Sequence, residues 1–294
     1  MTRILVVGGT GYLGAELVRQ GVAAVHEVVA THSTRRTAVP GVSRAGDLSG
    51  VGWRAVDIRR REDVAALVAD VRPGLVLNAA YAKADWRTNA DGAAHVALAA
   101  ARVGARLVHV SSDAVFSGAA ASYPEDAVPD PLTPYGAAKA AAETAVAAID
   151  PAALVARTSL ILGDETSEHE AFVHAVATGV HEGVLFTDDV RCPVHVGDLA
   201  AALLELAGSG HAGVVHVAGS DPISRYELGR LVAARDGLDP SLLPTGLRAD
   251  LPVPGPLDVR LDCRRTQGLL RTRLRGAREF LAGPPQAPHI PTTD

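Results

Sequence analysis

The chain has 294 residues, a formal net charge of −5, and 48% hydrophobic against 21% charged residues. That length supports one large domain or two unequal ones with a substantial core, and the acidic balance disfavours a nucleic-acid or anionic-membrane surface. No apolar run is long enough to span a membrane and no signal-peptide pattern precedes the first strand, so a cytoplasmic protein is expected.

Residues 4–7, Ile-Leu-Val-Val, read as a strand buried on both faces, because such strands do not alternate. Glycines follow at 8, 11 and 14, and a helical pattern starts at Ala15. Gly8, Thr10, Gly11, Tyr12, Leu13 and Gly14 thus make a strand–turn–helix joint. Its glycines permit a tight turn and close approach of a pyrophosphate, and the helix N-terminus offers N–H groups to an anion. The spacing is Gly-x-x-Gly-x-x-Gly, not the standard Gly-x-Gly-x-x-Gly. The position between buried strand and helix is what points to a dinucleotide.

Residues 26–31 read as a second strand, whose end would lie beside an adenosine ribose. An acid there marks NAD; an arginine accommodates the phosphate of NADP. This strand end has no acid and is followed by His32, Ser33, Arg35 and Arg36, a set able to hold an anion, so NADP is expected, with NAD the alternative. Residues 37–52 read as loop, 53–58 as a strand carrying Asp57 and Ile58, and 61–70 as a helix. Asp57 fits two roles, partner of an adenine amine or helix cap. Residues 75–80 read as the fourth strand, ending in Asn78, Ala79 and Ala80, small enough for a cofactor to lie against.

A helix over 89–103, a strand over 106–113, a loop over 117–133, an Ala-rich helix over 135–148 and a strand over 153–157 continue the alternation. This is the pattern of an α/β protein with a Rossmann-type doubly wound parallel sheet. Past Gly163 the rhythm loosens into helices at 168–178, 198–206 and 225–234, a strand at 213–217 and Pro-rich stretches at 240–256. We therefore expect a dinucleotide-binding domain over 1–163, to which elements near 191–218 return. A smaller, irregular substrate-binding part is expected over 164–281, and a Pro-rich tail over 282–294.

The chemistry concentrates in Tyr135-Gly-Ala-Ala-Lys139, a phenol and an ammonium at i and i+4 on one helix face. A nearby positive charge lowers a phenol pKa, so Tyr135 is expected to exchange a proton near neutral pH. Only Lys83 and Lys139 among the 28 basic residues are lysines, so a lysine here stands out against an arginine-rich background. At the end of the preceding strand, Ser112 supplies a hydroxyl for the substrate oxygen that Tyr135 protonates. The carboxyl ends of parallel strands form the ligand crevice of this architecture.

Together these residues resemble the extended short-chain dehydrogenase/reductases, in particular the dTDP-4-dehydrorhamnose reductase group. Residues 8–14, Asn78-Ala-Ala80, Ser111-Ser-Asp-Ala-Val-Phe-Ser-Gly118 and Pro134-Tyr-Gly-Ala-Ala-Lys139 with Glu143 carry the likeness. Weaker similarity runs through Arg157-Thr-Ser159, Arg191-Cys-Pro193 and Arg260-Leu-Asp262 to about residue 281. The resemblance implies hydride transfer from NAD(P)H to C4 of a 4-keto-6-deoxyhexose on a nucleoside diphosphate. Tyr135 would then donate the proton, Lys139 tune it and hold the nicotinamide ribose, and Ser112, with Asp113 beside it, orient the carbonyl. Two departures stand out. The family commonly has Ser-Thr-Asp-Tyr where this chain has Ser111-Ser112-Asp113-Ala114, which changes the pocket wall beside the sugar, and Asn78 and Asn89 are only 11 positions apart.

Other residues read two ways. Arg157, Arg191 and Arg260 are either diphosphate clamps or ordinary arginines. His195 and Asp198 border the crevice, or Asp198 caps a helix. His169-Glu170-x-x-x-His174 is one residue too long for a zinc helix motif, and no metal is expected. His109 reads as a satisfied interior residue, and Cys192 and Cys263 as small buried hydrophobes. Alanine rows on 89–103 and 135–148 suit a homodimer, the arrangement that relatives often adopt as a four-helix bundle. Three functions compete: a nucleotide-sugar ketoreductase, a reductase or epimerase acting on another ketone, and a catalytically silent NADP-binding regulatory subunit. Dehydratases of the superfamily resemble Thr-Asp-Glu at the active strand end, and Ala114 occupies the place of that Glu.

Overall fold

The structure is a computed structural model and describes residues 2–33, 50–120, 122–163 and 167–282. Arg35 and Arg36 lie outside these residues, as do most of the expected loop at 37–52 and the tail from 283. Seven parallel strands form the central sheet: β1 (Arg3–Val7), β2 (Glu27–His32), β3 (Gly52–Ala55), β4 (Leu75–Asn78), β5 (Arg106–Ser112), β6 (Leu154–Thr158) and β11 (Gly213–His216). Their order is β11-β6-β5-β4-β1-β2-β3. The chain direction across the sheet reverses between β1 and β4, and such a switch point leaves a crevice at the strands' carboxyl ends.

The layers follow from burial. Ile4, Val6, Leu77, Val108 and Leu154 face one side of the sheet and pack with α1 (Tyr12–Ala23) and α6 (Val196–Gly208). Leu5, Val7, Val76, Leu107 and Val155 face the other side and pack with α2 (Arg61–Val71) and α3 (Gly92–Arg102). Both faces are thereby removed from water, and the strands are uninterrupted apolar runs for that reason. α2 stops at Arg72, which takes a left-handed conformation (φ 47°), and Pro73 follows. α4 (Pro134–Ile149) starts on a Thr133 hydroxyl that accepts from the Gly136 N–H at 3.1 Å, with proline in its first position.

Several boundaries differ from expectation. β3 ends at Ala55, so Asp57 and Ile58 lie beyond the edge strand. β4 ends at Asn78, leaving Ala79 and Ala80 as loop, although the Ala79 N–H still donates to the Val7 carbonyl at 3.0 Å. A π-turn (Arg87–Asp91) precedes α3, and Asn89 folds its amide back onto the N–H and carbonyl of Ala82. The C-terminal part holds α5 (Glu168–Ala177), α7 (Arg225–Arg235), α8 (Arg264–Gln267), α9 (Ala277–Phe280) and the two-residue strands β7 (Ile161–Leu162), β8 (Leu185–Phe186), β9 (Val190–Arg191), β10 (Val194–His195), β12 (Ile223–Ser224) and β13 (Thr245–Gly246). Strands that short carry too little periodicity to be read from sequence. α6 starts two residues before the expected position because His195, not Asp198, caps it, accepting from the Gly197 N–H at 3.1 Å.

One expected substrate ligand is instead part of the interior. Arg157, on β6, is 3% exposed and pairs through Nη2 with Glu143 Oε2 of α4 at 2.8 Å. Its Nη1 donates to the carbonyls of Glu125 and Ala127, and Ser111 donates to Glu143 from β5. Arg157 therefore ties three elements together from the interior, with most of its donors committed to protein acceptors. Removing one partner of a buried pair strands the other's charge, at a cost of about 3–5 kcal/mol. Glu143→Leu is accordingly expected to lower unfolding free energy by about that amount in urea titration, and Arg157→Met with Glu143→Leu by clearly less. A single variant indistinguishable from wild type would contradict the pairing.

Candidate active site

The crevice is floored by the first loop. Gly8 sits at φ 83°, and a Cβ there would come within 2.7 Å of the Ala80 Cα. A Cβ on Gly14 would stand 2.1 Å from the Gly8 carbonyl oxygen, and one on Gly9 2.8 Å from the Ala30 Cβ. The loop is thus compressed between β2, the end of β4 and the start of α1, and only glycine fits. Gly8 N–H donates to Thr31 Oγ1 at 3.0 Å, which pins the loop to β2. The first N–H groups of α1 (Tyr12 and Leu13 at its start) lack intrahelical acceptors and lie at this loop. Compressed backbone, an N-terminal N–H cluster and the small Ala79 and Ala80 opposite fit the pyrophosphate of a dinucleotide. Tyr12 departs from a simple loop residue: its phenol donates to the Gly163 carbonyl, tying the glycine loop to the segment after β7.

The flanking residues fit less uniformly. His32 is half-buried and Ser33 exposed at the end of β2. Asp57 accepts from the N–H and guanidinium of Arg59, which hold its carboxyl down at about 2, against some desolvation. It does not cap α2, whose N-cap is Arg60. Ile58 is buried and carries α3 through the Gly92 backbone, where a Cβ would meet its side chain at 2.7 Å.

At the strand ends, β5 delivers Ser112 and a short turn (Asp113–Val115) follows. The Ser112 hydroxyl accepts from the Ala114 N–H at 3.1 Å and lies 3.3 Å from Asp113 Oδ1. Tyr135, in the first turn of α4, meets the Ser112 hydroxyl with its own. Burial holds the Tyr135 phenol above its ordinary range; Ser112 pulls it down in part, while Asp113, Tyr81 and Glu168 add to the rise. The expected lowering of this phenol by Lys139 is therefore not what the geometry gives. The Lys139 ammonium is 2% exposed and turns down toward the sheet, donating to the Val110 carbonyl at 2.6 Å with His109 Nε2 at 3.4 Å. Burial lowers Lys139 to about 8, partly offset by Glu143.

Asp113 is buried behind Ser112. Its Oδ2 accepts from Ser159 Oγ at 2.7 Å and lies 3.7 Å from Arg191 Nε, and burial raises its carboxyl. Arg191 is a correction: its Nη1 donates to the carbonyls of Val190 and Leu257, its Nη2 to that of Pro256, and it pairs with Asp189 at 2.8 Å. It staples residues 256–257 against β9. Arg260 is exposed, with its fork closed on Asp258 at 2.7 Å. Ala114 sits partly exposed at the start of the turn, and its carbonyl presses on Gly136, where a Cβ would stand 2.0 Å away.

Sequence reading missed the opposite wall. The Tyr81 ring stands edge-on to Tyr135 at 6.0 Å, and Glu168, at the start of α5, hydrogen-bonds Tyr81. Beside it His169 is driven to about 3 by burial and by the charges of Arg225 and Lys83, and Arg225 pairs with Asp189 at 3.2 Å. The phenol is therefore faced by Tyr81 from the loop after β4 and by Glu168 from α5. Lys83 had one signal, its rarity. The residues of the His169–His174 stretch point to separate partners: His169 to Arg225, Glu170 to Ser167, His174 to Asp236. Among the described residues, no group of His, Cys, Asp and Glu is arranged to hold a metal.

A glycine-loop doubly wound sheet with Ser112, Tyr135 and Lys139 at one crevice defines a Rossmann-type oxidoreductase of the short-chain dehydrogenase/reductase kind. The chain belongs to the family described as the RmlD substrate binding domain, whose model matches residues 1–283. It is 33% identical to dTDP-4-dehydrorhamnose reductase of Mycobacterium tuberculosis over 86% of this chain and 82% of that protein. With the dTDP-4-dehydrorhamnose reductase of Mycolicibacterium smegmatis it shares 31% identity over 99% and 88%. A solved structure of a hypothetical dTDP-4-dehydrorhamnose reductase from Sulfolobus tokodaii superposes with a TM-score of 0.77 at 26% identity, over 93% of this chain and 96% of that one.

The buried ammonium is open to direct measurement because the chain has only two lysines. In protein labelled with 15Nζ-lysine, the side-chain resonance that disappears in Lys139→Met is expected to titrate near 8. Titration above about 10, the range of a free lysine, would contradict the burial described.

Proposed function

We propose that the protein is an NAD(P)H-dependent ketoreductase that reduces the 4-keto group of a nucleoside-diphosphate 4-keto-6-deoxyhexose. The observation carrying this reading is the placement of Ser112 at the end of β5 and of Tyr135 and Lys139 one turn apart on α4, at the crevice that the glycine loop floors. NADPH, when bound, supplies the hydride; the other functions fall to the chain's own side chains and backbone.

Two hydroxyls converge where a carbonyl oxygen would sit. Ser112 has its oxygen fixed by the Ala114 N–H, and its proton is free to swing from Asp113 to that oxygen. Tyr135 donates to the same oxygen and, as hydride reaches C4, releases its proton to it. A phenol held above its ordinary range is fully protonated at neutral pH, which is the form a reduction consumes. Its strongly basic phenolate then recovers a proton from solvent. At neutral pH Lys139, titrating near 8, is largely an ammonium, and its charge opposes the accumulating negative charge. Gly8, Gly11 and Gly14 with the N-terminal N–H groups of α1 hold the pyrophosphate. Asn78, Ala79 and Ala80 let the cofactor approach the strand ends, and His32, Ser33, Arg35 and Arg36 favour NADP over NAD. On this reading Lys83, His169 and Arg225 form the substrate-side wall.

Nucleotide-activated sugars and reduced nicotinamide cofactors are cytoplasmic metabolites, and the proposal carries that location with it; no described helix is long and apolar enough to cross a membrane. A homodimer built on α3 and α4 is part of the same proposal, supported by the partly exposed Ala94, Leu98, Ala137 and Ala141 on these helices.

Wild-type protein is expected to oxidise NADPH in the presence of dTDP-4-keto-6-deoxy sugars, followed by loss of nicotinamide absorbance. Tyr135→Phe, which removes the proton donor and little else, is expected to lower kcat by about 10²–10⁴-fold while leaving NADPH affinity within a few-fold. NADPH binding without sugar reduction would overturn the substrate, and full activity in Tyr135→Phe would overturn the assigned acid.

A further inference from the structure

His109 is 1% exposed, lies under the active-site helix and has no part in the reaction just described. Sheet register fixes its neighbours. Within the β4–β5 pairing His109 stands directly opposite Asn78, and Asn78 stands opposite Val7, the last residue before the glycine loop. His109 Nδ1 lies 3.2 Å from Asn78 Nδ2, and His109 Nε2 lies 3.4 Å from Lys139 Nζ. The imidazole thus bridges the strand end at the cofactor loop and the lysine of the Tyr-x-x-x-Lys pair. We propose that His109 is a positioning residue for Lys139, an imidazole whose Nε2 accepts from the buried ammonium and whose other nitrogen is fixed by Asn78.

Donor and acceptor counting gives the arrangement. Lys139 has three N–H donors, and the Val110 carbonyl and His109 Nε2 lie within reach of them. A neutral imidazole carries one N–H and one lone pair. Burial, with the charge of Lys139, keeps His109 uncharged, so when Nε2 accepts from the ammonium the proton sits on Nδ1. Nδ1–H then needs an acceptor, and the Asn78 amide oxygen meets it when the amide is turned from the orientation in which Oδ1 accepts from the Ala80 N–H at 3.3 Å. The side-chain state of Asn78, next to the cofactor-facing Ala80, is in this way coupled through one ring to the lysine. A lysine at such depth without acceptors would give up its proton or withdraw its chain. His109 supplies the second acceptor beside the Val110 carbonyl.

The inference deepens the ketoreductase reading and rests on the role that the family resemblance implies for Lys139, holding the nicotinamide ribose. It is tested on the cofactor itself, without any sugar. Equilibrium binding of NADPH is measured by fluorescence for wild type, His109→Leu, Lys139→Met and the double variant, with thermal melting run alongside. Loss of a hydrogen bond to a charged group is expected to weaken NADPH about 10-fold or more in His109→Leu. In the Lys139→Met background the same change is expected to alter affinity by less than about 2-fold, because contacting residues are non-additive. His109→Gln, which keeps an acceptor, is expected to restore affinity to within about 3-fold of wild type. Should His109→Leu fail to fold, His109→Val, suited to a strand, takes its place in the cycle.

Equal losses in both lysine backgrounds would overturn the proposal, since they would mark His109 as packing alone. Unchanged affinity with a lowered melting temperature would overturn it too. Wild-type protein that bound NADPH but reduced no keto sugar would sink the substrate assignment only, leaving the cycle intact. Wild-type protein that bound no NADPH would sink the cofactor reading and this inference together.

Discussion

A lysine ammonium buried between a helix and the strand beneath it is the constraint around which the site is arranged. Such a group stays charged only where acceptors reach it, and here the Val110 carbonyl and His109 supply them. That requires α4 to lie close on β5, and the Ala-rich face of α4 permits it, with Gly136 pressed on the Ala114 carbonyl. The same closeness puts Tyr135 over the end of β5, where Ser112 emerges. Depth also explains why Glu143 and Arg157 pair below: the helix carries a second charge into the interior, and β6 meets it. Phenol, ammonium and carboxylate are successive turns of one helix, the first two answered by β5 and the third by β6 and β5 together.

The electrostatic picture differs from the usual one of a phenol activated by a neighbouring lysine. In this arrangement burial dominates, and the phenol is held as an acid. For a ketone reduction that is the useful direction, since the proton must leave Tyr135 only when negative charge develops on the substrate oxygen. Ser112 and the Asp113–Ser159 pair behind it fix the second donor. Arg191 acts one layer further out, binding residues 256–257 against that pair.

Much of this was legible in the sequence because it rests on local rules. Apolar runs of four to five residues separated by helical patterns identify a doubly wound sheet, and strand-loop-helix glycines locate the cofactor crevice. Tyr135 and Lys139 share a helix face by spacing alone. What sequence hid is set by tertiary placement. Arg157 and Arg191 look like anion clamps until burial and their carbonyl partners are seen. His109 looks like any histidine in a strand; only the register that sets it opposite Asn78, and the crossing of α4, give it a partner. Tyr81 and Glu168 come from two segments with no shared pattern, so their meeting at the phenol leaves no mark in the chain. The direction of the Tyr135 shift failed for the same reason: spacing reports a nearby charge, not how much water remains.

The central claim is that hydride passes from a nicotinamide to C4 of a nucleotide-linked keto sugar in this crevice. The most direct measurement is a single turnover with NADPH carrying deuterium at either face of the nicotinamide C4, followed by mass spectrometry and NMR of the sugar product. The account predicts one deuterium on sugar C4 from one labelled face and none from the other. Deuterium absent from the sugar with both faces, or found at another carbon, would contradict it.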